Sequence, residues 1–149
     1  MIATLTSLSD TVDLARRLTP ILKPGDMIAL HGGLGVGKTT FSRALISDLM
    51  GHETEVPSPT YTLVQIYEAP SFPIFHFDLY RLDDPDDVFE LGWETTTEGL
   101  ALIEWPERAG RHLPDWRLDI ILTLNSSAET RTARLEPRGE DWQRRLHEL

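Results

Sequence analysis

Eight consecutive residues hold the densest chemistry in the chain: Gly32-Gly33-Leu34-Gly35-Val36-Gly37-Lys38-Thr39 fills the pattern G-x-x-x-x-G-K-[ST]. Each residue type there has a chemical reason. Glycines let successive backbone N–H groups curl around phosphate oxygens with no Cβ in the way. A lysine at position 38 reaches β- and γ-phosphates, and the Thr39 hydroxyl can hold Mg²⁺. A helix starting at this point turns its positive dipole end toward the anion. At average residue usage the fixed positions coincide by accident in roughly one chain of this length in 200. Lys23 and Lys38 are the only lysines, so Lys38 is not drawn from a lysine-rich background. The pattern predicts a nucleoside triphosphate site.

A phosphate loop of this type needs an acid at the end of a neighbouring apolar strand, to hold the metal directly or through water. Two residues qualify. Glu104 closes the run Leu100-Ala101-Leu102-Ile103, and Asp78 follows Ile74-Phe75-His76-Phe77. Their sequence context does not rank them. Guanine-reading loops carry [NT]-K-x-D, and neither lysine has an aspartate two residues later. The expected ligands are therefore ATP and Mg²⁺.

The elements that must position these groups follow from hydrophobic spacing. A helix is predicted from about Ser9 to Leu22, with Leu14, Leu18 and Ile21 or Leu22 on one face, Ser7 or Ser9 as cap, and Pro20 bending its end. After the turn Lys23-Pro24-Gly25-Asp26, Met27–His31 reads as a buried strand leading into the loop. A helix from Lys38 to about Met50 follows, with Phe41, Ala44, Leu45 and Leu49 as its apolar stripe and Gly51 as its stop. From Thr60 to Tyr80 the period changes to two, which predicts an antiparallel hairpin turning at Pro70-Ser71-Phe72-Pro73. Asp83 to Leu91 reads as a short acidic helix. Leu100–Glu104 is a buried strand that Pro106 stops. Leu118–Leu124 and Arg131–Leu135 form a last hairpin before an amphipathic tail. The expected fold is α/β, a P-loop NTPase-like three-layer sandwich with a mixed parallel and antiparallel sheet, built as a single domain over residues 1–149.

Composition narrows the function further. The chain has 149 residues, 14 Lys plus Arg against 24 Asp plus Glu, a net charge of −10 and no cysteine. Such a surface repels a phosphate backbone, which argues against unaided nucleic-acid binding. Disulfides, zinc ribbons and thiol catalysis are excluded. No apolar run approaches a membrane span and no basic leader precedes an apolar core, so a cytoplasmic protein is expected. Residues 78–107 hold ten acids and one base, Arg81, a solvated face or a docking face for a basic partner. Arg131, Arg134, Arg138, Arg144 and Arg145 follow. They could pair with that face, touch nucleotide or meet tRNA held by a partner, and ion pairing is the commoner fate. His76 alternates onto the face of Asp78 and reads as hydrogen-bonded structure; Trp105 follows Glu104 and could report nucleotide state, with a core role the commoner one.

Four blocks taken together, the loop 32–39, Ser58-Pro59-Thr60-Tyr61-Thr62, His76-Phe77-Asp78-Leu79-Tyr80-Arg81 and Glu104-Trp105-Pro106-Glu107-Arg108, give a chain that resembles the TsaE (YjeE) family in order and spacing. The resemblance implies a small P-loop ATPase needed for threonylcarbamoyladenosine formation on tRNA. It implies a TsaB–TsaD-like pair as partner, with tRNA reached only through that complex. It also implies that Lys38 and Thr39 meet phosphate and Mg²⁺, with Thr40 beside them, that Glu104 coordinates the metal, and that Asp78 is a second required acid. Thr60 would lie in a switch loop that senses the γ-phosphate. Gly33 stands where the family usually has aspartate and Val36 where it usually has alanine. Neither contacts phosphate through its side chain in the logic of the motif. Two other readings use the same loop: a small-molecule kinase with an arginine-rich lid, and an interaction module in which ATP binding alone orders a partner surface.

Overall fold

Seven strands share one mixed sheet in the computed structural model, which describes residues 1–59, 61–126 and 130–149. They are β1 (Ile2–Leu5), β2 (Met27–His31), β3 (Val64–Glu68), β4 (Pro73–Asp78), β5 (Leu100–Glu104), β6 (Arg117–Leu124) and β7 (Arg131–Arg138), in the order β1-β7-β6-β2-β5-β4-β3. The four inner strands β6, β2, β5 and β4 run parallel, and β7, β1 and β3 are added antiparallel at the two sides. Strands covered on both faces read as continuous apolar runs, which is how Met27–Leu30 and Leu100–Ile103 are written. The expected mixed α/β architecture is the one found.

One face carries three α-helices: α1 (Leu8–Leu18), α2 (Lys38–Met50) and α3 (Glu140–His147). Leu14 and Leu18 of α1, Phe41 and Leu45 of α2 and Trp142 of α3 belong to one core with Ile28, Leu30, Leu100 and Leu102 of the sheet. The other face, with Phe75, Phe77, Ala101 and Ile103, is covered by Val88, Trp93 and Ala109. These three come from 3₁₀ segments, Pro85–Leu91, Trp93–Glu98 and Pro106–His112. The Phe77 and Trp93 rings meet edge to face at 5.2 Å. Among the described residues no helix is long and apolar enough to cross a membrane.

Local chemistry explains where the elements differ from expectation. The Ser7 side chain accepts from the Asp10 N–H, and Asp10 accepts from Thr6, so α1 starts at Leu8. Its end falls at Leu18, where Pro20, which has no N–H, opens the 3₁₀ turn Thr19–Ile21. The acidic segment is 3₁₀ as well, capped by the Asp84 carboxylate on the Asp86 N–H. Residues 61–63 are turn rather than strand, since Leu63 takes φ 67° and breaks the pleat before Val64. The strand β1 was not expected: four residues at an edge, paired only with β7, leave too short a pattern to read.

A buried carboxylate anchors the strand that feeds the loop. Asp119 of β6 is 2% exposed. It accepts from His31 Nε2 at 2.9 Å and Arg117 Nε at 2.9 Å, and from Arg138 Nε. Burial alone would raise its pKa, but the hydrogen bonds from His31, Arg138 and Arg117 outweigh that and hold it well below the usual carboxylate range. A depressed carboxylate contributes stability that is complete above the unfolded value near 3.9 and is lost as pH falls through the folded one. Asp119→Asn should therefore cost about 3 kcal/mol at neutral pH. Thermal melts across a pH series should show the gap between parent and variant widest near pH 7 and shrinking below about pH 4.

Candidate functional site

Strand register brings the chemistry to one edge of the sheet. Because β2, β5 and β4 are parallel, their C-terminal ends lie together, where α/β folds gather ligands. Leu30 is level with Glu104, and Glu104 is level with Asp78. The loop leaves β2 after His31, so it passes in front of both acids. Its first glycine is demanded by space: at Gly32, φ 149°, a Cβ would lie 2.8 Å from the Leu122 carbonyl oxygen. Gly37 starts α2 at φ 109°, a left-handed value that favours glycine.

A cavity of about 270 Å³ is lined by Leu34, Gly35, Gly37, Lys38, Thr39, Thr40, Ser58, Asp78, Glu104 and Arg131. The sequence-predicted groups thus converge, with three exceptions. Gly33 is exposed in the loop away from this lining, and Val36 turns its side chain into the core at 3% exposure, leaving only backbone to the site. Thr60 lies outside the described residues. A larger cavity, about 560 Å³ between α1 and α2, contains the Arg16–Asp48 pair and neither site acid, so size does not locate the chemistry.

The charges here are nearly out of water. Lys38 is 5% exposed, Asp78 4% and Glu104 2%. Lys38 Nζ donates to the Gly32 carbonyl at 2.5 Å and sits 3.6 Å from the centroid of the Trp105 ring. Burial lowers the Lys38 pKa, outweighing the opposing pull of Glu104, Glu107 and Asp78. Glu104 Oε2 accepts from His76 Nε2 at 2.6 Å, and Oε1 lies 3.4 Å from the Thr39 hydroxyl. Asp78 Oδ1 accepts the Tyr80 N–H at 3.0 Å. The acids are therefore distinguished by geometry: Glu104 faces the loop hydroxyl, while Asp78 stands one strand away and fixes the following turn. Among the described residues no group of three His, Asp or Glu could hold a metal by itself.

Three residues gained a specific partner that sequence reading did not assign. His76, read as ordinary structure, is fully buried against Glu104. Trp105, read as core, takes a left-handed conformation (φ 59°, ψ 51°) at the exit of β5 and covers Lys38, with Tyr80 tilted against it at 4.9 Å. A non-glycine residue there costs about 1–2 kcal/mol, a strain typical of sites. Arg131 Nε donates to the Val36 carbonyl at 2.7 Å. It lines both the phosphate-loop cavity and a neighbouring recess of about 190 Å³ walled by Leu5, Leu8, Val36 and Leu122. The other C-terminal arginines pair elsewhere: Arg134 with Glu136, Arg138 with Asp119, Arg144 with Asp141, and Arg145 with Asp26 and Asp141.

The family model for "Threonylcarbamoyl adenosine biosynthesis protein TsaE" matches residues 5–133. The tRNA threonylcarbamoyladenosine biosynthesis protein TsaE of Rickettsia conorii is 48% identical over 105 residues, 70% of this chain and 60% of that protein's length. Its Rickettsia typhi counterpart is 45% identical over 105 residues, 70% of this chain and 73% of that protein. The crystal structure of Bacillus subtilis YdiB superimposes with a TM-score of 0.81 at 26% identity, over 99% of this chain and 92% of that one.

The contact between Lys38 and the Trp105 ring makes a prediction independent of any ligand. Replacing Lys38 by alanine should change Trp105 emission in the absence of nucleotide, and the difference should vanish when the same change is made in a Trp105→Phe background. Steady-state fluorescence of the four proteins checks it.

Proposed function

This chain belongs to the TsaE family of tRNA threonylcarbamoyladenosine biosynthesis proteins, and we propose that within that role it is a Mg²⁺-dependent ATP hydrolase serving a TsaB–TsaD-like protein pair. The observation that carries this reading is a single pocket in which the loop lysine and hydroxyl, Lys38 and Thr39, face two strand-end carboxylates, Glu104 and Asp78.

Thr39 and Glu104 would hold Mg²⁺, since both offer the hard oxygen donors that ion prefers. Protein ligands that few suit an ion arriving with phosphate oxygens of its own. Bound there, Mg²⁺ would neutralise negative charge on the phosphates. The remaining work falls to the chain. Loop N–H groups from Gly33 to Thr39, joined by Thr40 at the start of α2, would wrap the phosphates and aim the helix dipole at them. Lys38 would exchange its contact with the Gly32 carbonyl for β- and γ-phosphate oxygens. Asp78, the second acid, is the residue we assign to the attacking water. The neighbouring recess, lined by Leu5, Ser7, Leu8, Thr11 and Leu122, would take adenine, with Arg131 bordering both base and phosphates. Thr60 enters through the family resemblance alone, as the γ-phosphate sensor.

A net charge of −10 supports reaching tRNA through another protein rather than directly. Asp83, Asp84 and Glu90 are exposed and would steer a basic partner surface, whereas Asp86 is already engaged by Arg111 and His112. An arginine lid, as the small-molecule kinase reading requires, is less supported: Arg134, Arg138, Arg144 and Arg145 are held in ion pairs, and Arg131, among the described C-terminal arginines, is the one that reaches the loop.

Removing Lys38 tests the reading. Lys38→Ala should weaken Mg²⁺–ATP binding at least about 100-fold by calorimetry, the scale expected for truncating a buried charged contact. tRNA from cells relying on that variant should lack threonylcarbamoyladenosine. Unchanged ATP affinity would remove the phosphate-loop assignment.

A further inference from the structure

We propose that His76 is a positioning residue for this site: it fixes the Glu104 carboxylate so that Oε1 faces Thr39, and thereby sets how strongly Mg²⁺ tightens nucleotide binding. The inference rests on the ATPase reading above.

A glutamate at a strand end has three rotatable side-chain bonds and, beside a cavity of about 270 Å³, room to swing. Something must choose its orientation. His76 lies two residues before Asp78 on β4, on the same face of the sheet, and its register partner Leu102 lies two before Glu104 on β5. The imidazole therefore sits behind the acid, away from the loop. Nε2 is 2.6 Å from Glu104 Oε2. A carboxylate offers only lone pairs there, so Nε2 is the donor. The opposite oxygen, Oε1, is left toward Thr39 at 3.4 Å, at the long limit for a hydroxyl hydrogen bond. One oxygen is tied down and the other is presented.

Packing alone does not account for a histidine at this point. The ring is 0% exposed, and its Nδ1 has no hydrogen-bond partner among the described residues. An apolar side chain would fill the same space without orphaning a buried nitrogen. The site tolerates that unpaired atom in order to keep the donor on the other side of the ring. Metal-site carboxylates are oriented by hydrogen bonds of this kind, and loss of such a partner costs roughly 10–100-fold in metal affinity.

The test compares ATP affinity in Mg²⁺ with that in EDTA, by calorimetry, for the parent, His76→Leu, His76→Asn and His76→Gln, each with and without Glu104→Gln. A glutamine amide nitrogen reaches the place of Nε2, whereas that of asparagine reaches only the place of Nδ1. The Mg²⁺-dependent gain should fall at least about tenfold in His76→Leu and His76→Asn and stay within about threefold of the parent in His76→Gln. Affinity in EDTA should be preserved in all three, since the loop is intact. In the Glu104→Gln background the His76 changes should have no further effect, which a purely structural role would not produce. A Mg²⁺ gain that survives in both His76→Leu and His76→Asn overturns the inference and leaves the ATPase reading standing. Effects that simply add to those of Glu104→Gln overturn it as well. A parent that binds no ATP under either condition overturns the ATPase reading, and the inference with it.

Discussion

Three charged side chains that are 5% exposed or less stand around one small cavity, and the fold is arranged to make that tolerable. A buried ion is costly unless it is paired and hydrogen-bonded. Each of the three has a specific arrangement. Lys38 has the Gly32 carbonyl below it and the Trp105 ring over it, Glu104 has His76 behind and Thr39 in front, and Asp78 has the Tyr80 N–H. Several of these partners are anchored by backbone that cannot shift without disturbing the sheet. A slip of one residue between β4 and β5 would turn Asp78 and His76 to the opposite face.

The rest of the architecture follows from holding those strand ends level. Parallel pairing of β2 with β5 and of β5 with β4 needs crossovers, and α2 with the 3₁₀ segments supplies the cover on either face. On the other side of β2, Asp119 in β6 grips His31, the last residue before the loop. Arg117 and Arg138 close that grip from β6 and β7. Side chains of β6 and β7 thus brace the base of the loop rather than line the pocket. Arg131, at the start of β7, is the exception, since it crosses to the Val36 carbonyl.

Those elements were legible in sequence whose signal is local. Met27–His31, Lys38–Met50 and Leu100–Glu104 stand where the apolar runs, the glycine loop and Gly51 place them, because each start and stop is written by adjacent residues. Short and 3₁₀ segments were not: β1 is an edge strand of four residues, and the acidic turn 85–91 has the composition of a helix without its length. Within the site, Lys38, Thr39, Asp78 and Glu104 were found from types and spacing. Their ranking was not, since it depends on a register between strands 26 residues apart in numbering, Asp78 against Glu104. The contacts of His76, Trp105 and Arg131 were hidden for the same reason: each is made with a partner distant in sequence. For His76 a signal was available, an acid two positions on and therefore on the same face. For Trp105 the proline that follows it marks the end of the strand but says nothing of the lysine beneath its ring.

Steady-state ATP hydrolysis by the purified chain, alone and with a TsaB–TsaD-like pair, bears most directly on whether these buried charges form a catalytic site serving that pair. The isolated protein should turn over slowly and Mg²⁺-dependently, with the pair raising the rate. Glu104→Ala should stay near background in both conditions. A parent rate that is already fast alone and indifferent to the pair, or a Glu104→Ala variant that hydrolyses ATP as the parent does, would contradict this assignment.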